Sequence, residues 1–158
     1  MTTLLPRRAD NDYRGYKAAL WIFGLILLLR VVMSVNSIFN GYLVASSADG
    51  IPLDSYTPAG ARAVVSLFAT LGLSQLALCV VGILVLIRYR ALIPFLFTLF
   101  LLEHLGRRLV SRFLPVARVG QPPGIIVNLI LLSLMVIGLA LSLRRGGNSL
   151  LRGTDVPD

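Results

Sequence analysis

The chain has 158 residues, of which 56% are hydrophobic and 14% charged, and its mean hydropathy is +0.83. Soluble domains carry about one quarter charged residues, so this composition argues against an ordinary soluble domain and predicts an integral membrane protein. The net charge of +8 does not predict a nucleic-acid binder, because the basic residues flank apolar runs and no aromatic–basic stacking motif accompanies them.

Residues 1–17, MTTLLPRRADNDYRGYK, form a polar head in which Pro6 and mixed charges predict a loose cytoplasmic segment. The first apolar run covers about 18–44. It is too long for a secretory signal, contains Arg30, and lacks a small-residue cleavage site after its core. The following ASSADGIPLDSYTPAG is punctuated by Gly50, Pro52, Pro58 and Gly60 and predicts an ordered loop or a pair of turns.

The second run covers about 61–87. Only Arg88–Arg90 separate it from the third, about 91–114, so this hairpin is expected to be tight. The third run is apolar only to Leu102 and basic afterwards. PVARVGQPPG then interrupts any helix. The fourth run, about 125–143, carries no charge and matches one bilayer crossing. The tail at 144–158, RRGGNSLLRGTDVPD, is polar and predicted to be flexible.

The expectation is therefore an all-α, polytopic four-transmembrane-helix bundle with short loops and no second domain. Basic residues in short loops set its orientation. With both termini cytoplasmic, nine basic residues lie inside and five outside, namely Arg62, Arg107, Arg108, Arg112 and Arg118. Fourteen of the fifteen basic residues are Arg, which is compatible with a GC-rich bacterial genome. The predicted location is a bacterial inner membrane.

Thirteen residues separate Lys17 from Arg30, Gln75 from Arg88, and Arg90 from Glu103. Thirteen helical residues rise about 20 Å, which reaches roughly the middle of a 30 Å hydrocarbon core. Arg30, Gln75 and Glu103 are thus expected at one depth as a mid-membrane polar network. An ionisable group there marks a functional-site hypothesis. Helical spacing places Arg30, Ser34, Ser37 and Gly41 on one face, with Asn36 and Asn40 beside it. It places Gly72, Gln75, Cys79 and Gly82 on another. Small and polar residues of this kind let membrane helices approach and hydrogen-bond.

Glu103 and Arg107 are four apart and form a possible intrahelical pair that competes with Arg30. Arg108 and Arg112 share a face and would repel each other without an anion, so lipid phosphate or a partner carboxylate is expected there. His104 is the sole histidine and Cys79 the sole cysteine. No intrachain disulfide or bis-His haem can form, and no metal site, cofactor or catalytic residue is expected. Both side chains read first as packing residues, with proton handling the alternative for His104.

Four short spans, the loop GIPLDS, the entry Ala61-Arg62-Ala63-Val64 and the pair Gly106-Arg107 resemble small bacterial four-helix membrane proteins of the DoxX-like and related domain-of-unknown-function group. The resemblance covers about residues 20–145 and implies the same four-helix fold. It transfers no catalytic residue, and the chain departs from it at Arg30, Arg108 and Arg112.

Two functions follow. The first is a non-enzymatic accessory, assembly or stabilising subunit of a larger membrane complex, or a self-associating protein. The alternative is a carrier or receptor for a lipid, quinone or proton-coupled small solute. The expected partners are membrane lipids, anionic ones included, and other membrane subunits. An intramembrane enzyme has no nucleophile–base pair, paired acids, metal cluster or nucleotide loop in its favour. If Arg30 and Glu103 pair, Arg30→Leu alone is expected to be worse than Arg30→Leu/Glu103→Leu.

Overall fold

The computed structural model describes residues 11, 13, 15–120 and 122–144. The expectations of a loose head and a flexible tail fall largely outside these residues, as do Arg7, Arg8, Arg14, Arg145 and Arg152 of the orientation argument.

The described chain is all-helical. Four long helices occupy the apolar runs: α1 (Lys17–Phe39), α2 (Pro58–Arg88), α3 (Ile93–Phe113) and α4 (Gly124–Leu143). α1 stops earlier than expected. Asn40 leaves helical geometry at φ −119°, and a short turn at Gly41–Leu43 and a π-helical turn at Val44–Ala48 follow. A further turn, Leu53–Ser55, buries Leu53 with Ala45 and Ile51 against the start of α2. α2 begins where Thr57 caps the Gly60 amide at 3.2 Å and Pro58 supplies a preset φ. The tight hairpin between α2 and α3 is a single 3₁₀ turn, Arg90–Leu92.

Residues whose side chains meet give the directions. A Cβ on Gly24 would touch Leu86, one on Gly72 would touch Ser34 and Ser37, and one on Gly41 would touch Val65, so α1 and α2 are antiparallel. Phe23 meets Phe97 and Phe100, and Arg30 meets Glu103, so α1 and α3 are parallel. Gly138 faces Phe97 and Ile22 while Tyr16 meets Leu141, so α4 runs antiparallel to α1 and hence to α3. The path is up-down-up-down. The Tyr16 amide donates to the Leu141 carbonyl at 3.3 Å, bringing the start of α1 and the end of α4 to one end of the bundle.

α1 is the central element, packed mainly on α2 and α4, while α3 leans chiefly on α4. Their buried residues recur at three- and four-residue steps, as in Phe23, Ile26, Leu27 and Arg30 of α1 and Leu131, Met135, Gly138 and Ser142 of α4. The core joins these to Cys79, Val85, Phe97 and Phe100. The outside is equally apolar: Trp21, Leu28, Leu73 and Ile126 all stand exposed.

Three helices, α1, α2 and α4, are long and apolar enough to cross a membrane. α3 is not among them. It has the length but spends it unevenly, with ten uncharged residues from Ile93 to Leu102 and then Glu103, Arg107, Arg108 and Arg112. Ten helical residues cover about 15 Å, half of a hydrocarbon core.

Candidate functional site

The polar residues of three helices meet inside the bundle. The Glu103 carboxylate sits between two arginines. Arg30 donates from Nη2 to Oε2 at 2.7 Å, and Arg107 places Nε 2.5 Å from Oε1. Arg30 is 5% exposed, Glu103 20% and Arg107 49%. The pair across helices and the pair within α3 therefore coexist, one on each carboxylate oxygen. Sequence spacing had set them in competition.

Gln75 enters differently from the expected three-member layer. Its Oε1 accepts from Arg107 Nη2 at 2.9 Å, one turn beyond Glu103. The displacement has a simple origin. Gly82 lies against Phe100 and Gln75 against Arg107, so α2 and α3 are registered with Pro94 level with Arg88. Arg90 belongs to the connecting 3₁₀ turn. A count of thirteen from that turn lands one turn short.

The Arg30 guanidinium is held on two sides. Its Cζ lies 4.5 Å from the centroid of the Phe100 ring, a cation–π arrangement, while Nη2 meets the carboxylate. The Ser34 hydroxyl donates to the Arg30 backbone carbonyl at 2.7 Å. Phe100 was not anticipated as a site residue. Its signal was its position three residues before Glu103, on the same face of α3.

Small residues make this approach possible. Gly72, Gln75, Cys79 and Gly82 are all buried and form the α2 face toward α1. Cys79 is a buried free thiol beside this layer. His104 is buried, with Nε2 unpaired. Arg30 Nη1, Gln75 Nε2 and Glu103 Oε1 are likewise buried without hydrogen-bond partners, so Arg107 holds Oε1 by charge alone. The cluster of Arg30, Glu103 and Arg107 thus carries one excess positive charge, with unpaired donors from two helices.

Other candidate residues lie elsewhere. Asn36 and Asn40 are exposed and bond to each other at 3.0 Å. Asn36 also lines a shallow, open and mostly apolar cavity of about 280 Å³ near the π-helical turn, with Ser47 and Pro123. No residue of the Glu103 cluster borders it. Arg108 and Arg112 are exposed and make no ion pair or hydrogen bond among the described residues. Arg118 is in the field of Asp49, where burial raises the carboxyl pKa and the arginine opposes that rise. Among the described residues no group of three or more His, Cys, Asp or Glu side chains is placed to hold a metal ion.

No family model, curated protein or solved structure matches the chain.

Proposed function

We propose that the chain is a four-span protein of a bacterial inner membrane, with both ends cytoplasmic, and that it serves as a non-enzymatic accessory or assembly subunit of a larger membrane complex. One observation carries this reading: both oxygens of the partly buried Glu103 carboxylate face arginines, Oε2 hydrogen-bonded by Arg30 from α1 and Oε1 ion-paired with Arg107 from α3. A carboxylate bridged in this way is a clasp between helices. It satisfies charges that lipid cannot. The fourth crossing is α3, whose terminal arginines reach the interface by extending along the helix. The likeness to DoxX-like small membrane proteins belongs to this proposal and concerns the fold alone.

The exposed apolar surface of the four helices supplies area for lipid and for other subunits. Purification of the tagged full chain from its native membrane in mild detergent tests the role. Co-migration with a defined set of membrane subunits is expected. Migration solely as a free small protein would remove the accessory reading.

A second reading, a carrier or receptor for a lipid, quinone or proton-coupled solute, has its own observation. Arg30 Nη1, Gln75 Nε2 and His104 Nε2 are unpaired around the carboxylate, and the two amide and guanidinium donors suit a carbonyl or anionic acceptor. Comparison of Glu103→Gln with Glu103→Ala separates the readings. Equal loss of folded protein from both variants supports the clasp. A folded Glu103→Gln protein that no longer co-purifies with a lipid or quinone seen with the unmodified chain supports the carrier.

A further inference from the structure

From His104 to Gly120 the sequence contains four arginines and no acidic residue. One of the four, Arg107, is turned to Glu103 and Gln75. Arg108 follows about 100° around the helix, and Arg112 lies one turn further on nearly the same face. Both are exposed and unpaired among the described residues. Like charges four residues apart on a helix destabilise it unless an anion lies between them. Leu105, Leu109 and Phe113 form the adjoining stripe of the helix and stand exposed, 46%, 57% and 76% accessible. Among the described residues no other element covers this end of α3.

The register with α4 gives the depth. Phe97 faces Gly138, and fourteen residues along each helix from that crossing lead to Ser111 and Gly124. Gly124 begins the uncharged α4, whose twenty residues span about 30 Å, the thickness of a hydrocarbon core. Arg112 therefore falls at the hydrocarbon boundary and Arg108 one turn inside it, where its side chain extends to the headgroups.

We propose that Arg108 and Arg112 form a binding site for the phosphate of an anionic phospholipid, whose acyl chains lie on Leu105, Leu109 and Phe113. Two arginines whose backbone positions are about 6 Å apart along the axis clamp one phosphate with charge-assisted hydrogen bonds. The apolar side chains beside them select a lipid over free phosphate. An acidic protein surface would leave those side chains unmatched. The site rests on the membrane-spanning reading above and is independent of the accessory role.

The test places a reporter in the site. Leu109→Trp in a Trp21→Phe background makes the only tryptophan a neighbour of the two arginines, since the chain has one Trp. The full chain is reconstituted into phosphatidylcholine vesicles containing a fixed fraction of brominated lipid, either phosphatidylglycerol or phosphatidylcholine. Brominated phosphatidylglycerol is expected to quench more strongly, with a local preference of about fivefold per arginine. Added inorganic phosphate is expected to leave this unchanged. Arg108→Gln/Arg112→Gln should equalise the two lipids, whereas Arg88→Gln/Arg90→Gln, at the opposite end of the bundle, should keep the preference. Helical content by circular dichroism confirms that each variant is folded. Equal quenching by both lipids in the chain retaining its arginines overturns the site while leaving the membrane reading intact. Absence of quenching by either lipid overturns both.

Discussion

Glu103 carries two arginines, and they are unequal. Arg30 is enclosed by the bundle, whereas Arg107 is half exposed. Removing Arg30 leaves the carboxylate with Arg107, so Arg30→Leu is milder than a simple pair implies. Removing the carboxylate strands the Arg30 guanidinium against the Phe100 ring. Glu103→Leu is therefore the damaging single change, expected to cost about 3–5 kcal/mol. Arg30→Leu/Glu103→Leu is expected to recover about 1–3 kcal/mol of that loss, because the buried charge has gone and Arg107 turns outward. Thermal unfolding of the four proteins in one detergent measures the cycle. Strictly additive losses would show that the two side chains do not depend on each other. The residues of this cluster were legible in the sequence because charges inside apolar runs stand out. Their pairing was not, because i to i+4 spacing and matched depth are both satisfied at Glu103.

At the scale of helices, close approach between α1 and α2 depends on glycines that differ in what they face. A Cβ on Gly72 would lie 2.9 Å from the Ser34 carbonyl oxygen, which is backbone and cannot swing away. On Gly24 it would meet only Leu86 Cδ2 at 3.8 Å, an ordinary contact. Both positions gain up to about 1 kcal/mol of helix propensity from alanine. Gly24→Ala is expected to keep that gain. Gly72→Ala is expected to lose a net amount of order 1 kcal/mol or more, because the helices must separate. Denaturation midpoints that rise equally for both would contradict the close packing. α3 shows the limit of reading helices one at a time. Its period predicts a helix, yet its apolar length is half a crossing, and its basic end is intelligible only beside α4. α1 shows the opposite limit: hydropathy continues to Val44, but the α-helix ends at Phe39. The short π-helical turn that follows tucks Ala45 and Ile51 against the next helix.

For the molecule as a whole, the alternation of four apolar runs with turn-rich or very short connections determined an all-helical chain folded back on itself. Hydropathy and helical period are local properties, so they survive without coordinates. They also marked Gly72, Gln75, Cys79 and Gly82 as one face, which the structure buries. Only the tertiary structure decided the register between helices. It set Pro94, and not Arg90, level with Arg88, and so gave Gln75 to Arg107, while the register of α1 against α3 gave Arg30 to Glu103. Register is fixed by contacts between residues distant in sequence, such as Phe97 on Gly138 and Leu27 on Gly82. A shift of one helical turn changes every polar partner between helices while leaving each helix's own pattern intact.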